Sequence, residues 1–495
     1  MRGLLRSIPI IVLGLIMFVP NVFAAQSATR LDGVSRYEVA VNVSKQGWSS
    51  ASTVVVANGK AYADVLSATP LAYKNNAPIL LTESSKLTTP TKNRISQLKP
   101  RKVIVIGGTI SVNNQVVSEI KKLGVSTVER IGGVSRYEVA ERIAKKLPAN
   151  SKAVIANGTA YADSMAIGAY AARNGIPILL TTSNSIPSPT KDAMKSKGTR
   201  STIVVGGEIS VSNSVYRQLA SPTRIGGNSR FEVARNIAKK YYSSTKSAVI
   251  GNGYTYADAL AGSVLAAKQG RPVLFTDAGS LPKPTREAIG SNRMTTFTVL
   301  GGTISVKSNV ISQLKNPIVG KKIFIDAGHG GSDPGASANG LREKDVNLAF
   351  AKKVYSKLSS GGALPIMARS TDVYLTLSQR VAKAESNHAD IFVSIHSNSA
   401  SSSATGTETY YYTKYQATNS KRLATEIQSR LYKAMNTRDR SVRTGNFHVI
   451  RESTMPSCLV ELGFITNKSD ASKLNSSYYQ DRAASAIYNG IVAYY

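Results

Sequence analysis

Short continuous apolar runs alternate with stretches of helical periodicity through the first two thirds of the chain. Val54, Val55 and Val56 form one run, and Ile104, Val105 and Ile106 another; such runs suit parallel strands buried on both faces. Residues 38–45, 64–74 and 92–98 carry apolar side chains at about helical spacing, which predicts helices between the strands. Strand alternating with helix implies a right-handed parallel α/β layout. The pattern also recurs. RLDGVSRYEVA begins at Arg30, RIGGVSRYEVA at Arg130 and RIGGNSRFEVA at Arg224. Three further blocks recur in step: NGKAYAD, NGTAYAD and NGYTYAD, ending at Asp64, Asp163 and Asp258; PILLT, PILLT and PVLFT; and a strand followed by Gly107-Gly108, Gly206-Gly207 or Gly301-Gly302. Matched blocks at a fixed period define a repeat architecture. The repeats fall at residues 29–126, 127–221 and 222–316.

Each recurring feature has a structural and a ligand-binding reading. The Gly-Gly pairs follow a strand and precede a helix, which suits a tight turn, although an anion site at such a turn is the other reading. Asp64, Asp163 and Asp258 are placed to cap helices. The arginine pairs Arg30 and Arg36, Arg130 and Arg136, and Arg224 and Arg230 offer planar two-pronged donors for phosphate or carboxylate. Three weak contacts of this kind to one polymer would multiply through effective concentration. The competing reading is a salt bridge from these arginines to Glu38, Glu138 and Glu232.

After Pro317 the repeat stops, with no long linker, so the last unit should sit close to the third repeat. Residues 321–495 again read as α/β. Buried strands are predicted at residues 323–325, 364–370, 391–398 and 458–460, with a further strand near residue 407 and helices over residues 345–358, 377–390 and 419–435 and from about 481. Only four histidines occur in the chain. His329 and His396 end strands in Gly- or Ser-rich loops, Glu343 lies in GLREKD and Glu461 ends a strand. Ligands in parallel α/β sheets bind beyond the carboxyl ends of strands, so these residues can converge. Two imidazoles and a carboxylate with an open fourth position is a catalytic zinc arrangement, and a second carboxylate would handle the proton. His388 follows a helix and reads as a helix-end contact, while His448, in GNFHVIR, has no assigned role. Cys458 sits inside an apolar strand and reads as a buried structural thiol.

Charge and the N-terminus narrow the setting. Lys and Arg number 62 against 29 Asp and Glu, a formal net charge of +33. Residues 1–317 hold 40 of the basic and 15 of the acidic residues. Such an excess seeks polyanions. Arg2 and Arg6 precede an apolar run over residues 8–19, and Val22-Phe23-Ala24 follows as a cleavage site, so residues 1–24 read as a secretory signal peptide. The run is shorter than the ~20 residues of a membrane span, and no later stretch is long and apolar enough to cross a bilayer. A secreted chain with one cysteine fits a Gram-positive surface, with an acidic wall polymer rather than nucleic acid as the polyanion.

The R-x-x-G-x-S-R-[YF] and N-G-x-x-Y-A-D blocks resemble the type 2 cell-wall-binding repeat of Gram-positive surface proteins. That resemblance implies three copies packed with pseudo-threefold symmetry, holding the protein non-covalently to anionic wall polymers such as teichoic acids. DAGHGGSDPGA, GLREKDVNL, SIHSN and LVELGFITN resemble, in that order, the family 3 zinc-dependent N-acetylmuramoyl-L-alanine amidases. By that resemblance one Zn²⁺ per chain falls on His329, Glu343 and His396, and the catalytic glutamate is Glu461. Together the two resemblances imply a secreted, wall-bound autolysin. It would cut the amide between N-acetylmuramic acid and L-alanine in peptidoglycan, with a modifier protein as a further class of partner. The alternatives are a non-catalytic wall-binding surface protein and a zinc peptidase acting within the stem peptide.

Overall fold

A computed structural model describes residues 25–495, and the segment read as a signal peptide lies outside these described residues. Residues 25–316 build three four-stranded, all-parallel sheets. The first sheet runs in the order Ile79–Thr82, Thr53–Asn58, Lys102–Ile106 and Thr127–Ile131. The second repeats this order with Ile178–Thr181, Lys152–Asn157, Ser201–Val205 and Pro222–Ile225. The third takes Val273–Thr276, Ser247–Asn252 and Thr296–Leu300, and its fourth strand is Ser27–Leu31 from the start of the chain. The arginine-bearing block therefore does not open a structural unit. Its first residues complete the preceding sheet, with Arg30 opposite Val299 and Leu31 opposite Leu300, and the three sheets close into a ring.

The centre of the ring is made of small residues. The helices Thr69–Lys74, Tyr161–Arg173 and Ala257–Gln269 converge there, with Gly168 against Thr69 and Ser263. These three residues occupy matched positions of the repeats, so the axis leaves no room for a large side chain. Tyr62, Tyr161 and Tyr256, also matched, cluster with ring centroids 4.8–5.8 Å apart. The predicted helix over residues 64–74 is interrupted in the first unit. A short 3-10 turn at Tyr62–Asp64 precedes a helix that starts at Thr69, because Pro70 fits only the first helical turn.

Two local expectations are corrected. Asp163 and Asp258 do not cap helices: both lie inside the first turn, and no side-chain cap bond forms at either helix start. Their carboxylates turn inward, accept from Ser210 Oγ at 2.9 Å and Ser305 Oγ at 3.0 Å, and press against Gly206 and Gly301. Asp64 lies in its 3-10 turn and presses likewise on Gly107. These glycines have φ of +100° to +111°, so each Gly-Gly pair is a tight turn against which a carboxylate of the chain packs. The paired arginines form no salt bridges to Glu38, Glu138 and Glu232 either; Glu138 meets Arg142 instead, at 3.6 Å. Ser35, Ser135 and Ser229 cap the helices by accepting from the backbone N–H of these glutamates. The glutamates in turn accept from the N–H of Val34, Val134 and Asn228 at 2.8–3.2 Å. The S-x-x-E spacing of each block is thus a helix-start signal.

The last unit is a six-stranded mixed sheet ordered Leu364–Met367, Lys322–Ala327, Ile391–Asn398, Ser457–Phe464, Thr407–Tyr411 and Asp439–Thr444. The first four strands are parallel, and Thr407–Tyr411 runs antiparallel to Ser457–Phe464. The helices Glu343–Ser360, Ala417–Met435 and Ser477–Tyr494 bury Val354, Leu358, Leu423, Ile427, Ile487 and Ile491 on one face. On the other, the helix Leu377–Ser386 covers Phe324 and Phe392, whose rings stack 5.2 Å apart. The unit sits directly on the third repeat. Arg286 Nη1 donates to Ala363 O at 2.5 Å, and Asn316 Nδ2 donates to Tyr488 Oη at 2.7 Å.

Candidate metal centre and active site

The site is built at the carboxyl ends of three adjacent parallel strands. Lys322–Ala327 delivers the loop bearing His329, Ile391–Asn398 carries His396, and Ser457–Phe464 carries Glu461. His396 and Glu461 are register partners across their two strands. Glu343 enters from the side as the first residue of its helix, two residues earlier than the predicted helix start at residue 345.

His329, Glu343 and His396 each aim one ligand atom at a common point, all within 4.8 Å of one another. His329 Nε2 lies 3.2 Å from Glu343 Oε1, and His396 Nδ1 lies 2.9 Å from the same oxygen. Two imidazole nitrogens and one carboxylate oxygen around one point, with the carboxylate buried, is a donor set that fits a divalent cation of the zinc type. Close approach requires glycine twice. A Cβ at Gly328 would overlap the His396 ring, and one at Gly335, where φ is +64°, would come within 2.6 Å of Glu343 Oε2.

The supporting contacts were not legible in the motifs. Asp333 Oδ2 lies 2.8 Å from His329 Nδ1 and orients the ring. Asn347 Nδ2 donates to Glu343 Oε1 at 3.2 Å, and Ser397 Oγ donates to Asn347 Oδ1 at 3.2 Å. His329 has φ of +59°, a left-handed conformation costly outside glycine. Two buried arginines hold that loop. Arg380 donates to the carbonyls of Ala327 and His329, each at 2.8 Å, and Arg369 donates to that of Gly328 at 2.9 Å. Arg380 is itself ion-paired to buried Asp326 at 2.7 Å.

Electrostatics shift the two carboxylates in opposite directions. Burial alone would raise Glu343, but hydrogen bonds from His329 and His396 outweigh it and hold the group far below the usual carboxylate range. Glu461 is pushed well above that range, first by burial and then by the charges of Glu343 and Glu408. Its Oε2 has no hydrogen-bond partner among the described residues. A buried, unpartnered carboxylate oxygen beside a metal-type cluster is disposed to exchange a proton rather than to hold structure.

The profile described as N-acetylmuramoyl-L-alanine amidase matches residues 323–493, and that described as cell wall binding domain 2 matches residues 30–117, 130–216 and 224–311. The N-acetylmuramoyl-L-alanine amidase LytC of Bacillus subtilis (strain 168) is 50% identical over 496 residues, covering 100% of both chains. The chain belongs to the N-acetylmuramoyl-L-alanine amidases. Among solved structures, Cwp6 from Clostridium difficile aligns with TM-score 0.59 and 31% identity, over 95% of this chain and 80% of its own. Cwp8 from the same organism aligns with TM-score 0.54 and 30% identity, over 59% of this chain and 52% of its own.

In this amidase the six repeat arginines lie away from the zinc-type cluster and tie the ring together. Arg30, Arg130 and Arg224 donate to the carbonyls of Gly301, Gly107 and Gly206 at 2.7–3.0 Å. Arg36, Arg136 and Arg230 donate to Gly59, Gly158 and Gly253, and Arg36 and Arg230 also reach Tyr256 Oη and Tyr161 Oη of the adjacent repeat. A cleft of about 1010 Å³ between the second and third units is lined by Arg224, Arg230, Asp163, Tyr161 and Tyr254. His388 follows the end of the helix Leu377–Ser386, as its sequence position indicated, and its N–H donates to Glu385 O. His448 opens a short helix and lies 3.4 Å from Ser378 Oγ, outside the cluster. Cys458 is fully buried, and burial pushes its thiol far up, which removes it as a nucleophile.

Proposed function

We propose that this wall amidase is a zinc enzyme in which His329, Glu343 and His396 hold the metal and Glu461 moves the proton. The convergence of the three ligand atoms beside the orphaned Glu461 carboxylate carries this reading. Zinc held there supplies polarisation of a carbonyl oxygen and acidification of a water. Glu461 accepts the proton of the attacking water and returns it to the departing L-alanine amine, a role suited to a carboxyl whose affinity for protons is raised by burial. Asp333 and Asn347 keep His329 and Glu343 in orientation throughout.

The cell-wall-binding repeats associate the enzyme with its insoluble substrate. In our reading the chain is secreted and the basic ring rests on anionic wall polymers such as teichoic acids. Arg224 and Arg230 line the cleft between the second and third units and offer contacts there. The sequence repeats at residues 29–126, 127–221 and 222–316 and the unit at 321–495 share this division of labour, with the opening strand of each repeat contributed to a neighbouring sheet. Among the described residues no helix is long and apolar enough to cross a membrane.

Digestion of purified peptidoglycan with mass spectrometry of the products tests the chemistry. Wild-type enzyme should release stem peptides with a free N-terminal alanine, and chelation should stop release until Zn²⁺ is restored. Glu461→Gln should keep wall and zinc binding and lower turnover by about 10²–10⁴-fold, the usual weight of a positioned acid–base group. Turnover within threefold of wild type would remove Glu461 from this role, and products cut inside the peptide would point to a peptidase.

A further inference from the structure

Beside Glu461 the sheet presents a pair of arginines that metal binding and proton transfer do not use. Thr407–Tyr411 pairs antiparallel with the Glu461 strand, and Glu408 stands directly opposite Glu461. Glu408 is buried and heavily coordinated. It accepts from Asn398 Nδ2 at 2.7 Å and Tyr410 Oη at 3.0 Å, and it meets Arg440 Nε at 3.0 Å and Arg443 Nε at 3.3 Å. Both arginines come from the edge strand Asp439–Thr444, which carries few apolar side chains. One carboxylate shared by two guanidinium groups leaves the trio with a net positive charge. Each arginine spends its Nε inward, and the Nη groups of both have no partner among the described residues. The Arg440 guanidinium lies 4.9 Å from the Phe464 ring centroid, and Arg443 Nε also donates to Arg440 O, so both are fixed in orientation.

We propose that Arg440 and Arg443 form a carboxylate-recognition subsite for the stem peptide, fixed in place by Glu408. This rests on the reading of Glu461 as the proton carrier at the scissile amide. Strands lie ~4.8 Å apart, so the edge strand stands roughly 10 Å from the Glu461 strand. An extended peptide advances ~3.3 Å per residue, so the arginines meet the second or third residue beyond the scissile bond. With Glu408 already paired to both Nε groups, the outward Nη groups at the rim of the site supply planar, two-pronged recognition of a peptide carboxylate.

The test is steady-state kinetics of the full-length zinc enzyme on two synthetic muramoyl-peptides. One has free carboxylates at the second and third peptide residues, and the other has both amidated. Wild type should prefer the free form. Arg443→Ala should lower the free-to-amidated ratio of kcat/KM at least tenfold, through KM, because a charge-assisted pair is lost. Arg443→Lys keeps the charge beside Glu408 but loses the two-pronged donor, and should give an intermediate ratio with the melting temperature unchanged. A fall of less than tenfold for Arg443→Ala, or equal losses on both substrates, would overturn the subsite. Failure of wild type to cleave either substrate would instead refute the amidase mechanism on which the subsite rests.

Discussion

Replacing Arg380 by Met probes how the fold holds the loop that carries His329. The Arg380 side chain is 3% exposed and that of Asp326 is 1% exposed. Arg380 donates to Asp326 Oδ1, Ala327 O and His329 O at 2.7–2.8 Å and to Leu375 O at 3.2 Å. Met fills much of the same volume without a charge. It leaves the Asp326 carboxylate buried with Ser394 Oγ, at 2.8 Å, as its remaining side-chain partner. Removing one member of a buried ion pair costs about 3–5 kcal/mol, and each orphaned carbonyl adds about 1–3 kcal/mol where water cannot reach it. Ala327 O keeps Arg369 Nε as a donor at 3.0 Å, so the low end of the pair term plus the His329 carbonyl alone gives a loss of about 4 kcal/mol, roughly a thousandfold in the folded-to-unfolded ratio. Adding Asp326→Asn removes the stranded charge and should restore about 2 kcal/mol, since the penalty belongs largely to the uncompensated carboxylate. Urea unfolding of the full-length chain, followed by turnover of a soluble muramoyl-peptide, reads the catalytic unit. Zinc affinity by chelator competition should fall about 10–100-fold in Arg380→Met, because the His329 carbonyl loses its anchor. A cost below about 1 kcal/mol, or a double variant no better than the single, would refute the charge argument.

Two further predictions concern the ring. Burial raises Asp163 to about 6 against the opposing effects of the Ser210 hydroxyl and the Arg230 charge. The native state then binds more protons than the unfolded chain between pH ~4 and ~6, so stability is present below this window and falls as pH rises through it, by about 3 kcal/mol at most. Asp163→Asn should therefore raise the melting temperature of the ring relative to wild type at pH 7 and not at pH 4; the same difference at both pH values would refute the assignment. Deleting residues 25–31 removes the strand paired with Thr296–Leu300 and the buried side chain of Leu31. It should cost at least about 2 kcal/mol and expose a sheet edge that self-associates, visible by size-exclusion chromatography. A monomer with unchanged melting temperature would show that ring closure is dispensable.

Legibility of the site followed the distance over which each contact acts. His329, Glu343, His396 and Glu461 were marked by the resemblance of DAGHGG, GLREKD, SIHSN and LVELGF to amidase motifs, with strand ends and Gly-rich loops as weaker local signals. The S-x-x-E caps were equally local, although charge complementarity suggested arginine pairs instead. Asp333 and Asn347 lie four residues from the groups they orient, but nothing in their own surroundings marks them. Arg380 acts 51 residues from His329, and Glu408 meets Arg440 across 32, so no spacing rule reaches either.

The sequence alone determined the alternation of buried strands and helices, the threefold repetition and the basic charge, and its motifs, by resemblance, named the residues of the metal-type cluster. Alternation and charge are written in periodicity and composition, because side-chain hydrophobicity and backbone propensity act over a few residues. The tertiary structure decided how the units are phased. A repeated sequence can be cut at any point in its period, and only the pairing of Ser27–Leu31 with Thr296–Leu300 shows where the ring closes. It also decided the state of the charges. Whether an aspartate caps a helix or an arginine meets a glutamate depends on which backbone groups lack partners after packing, and that is a property of the assembled fold.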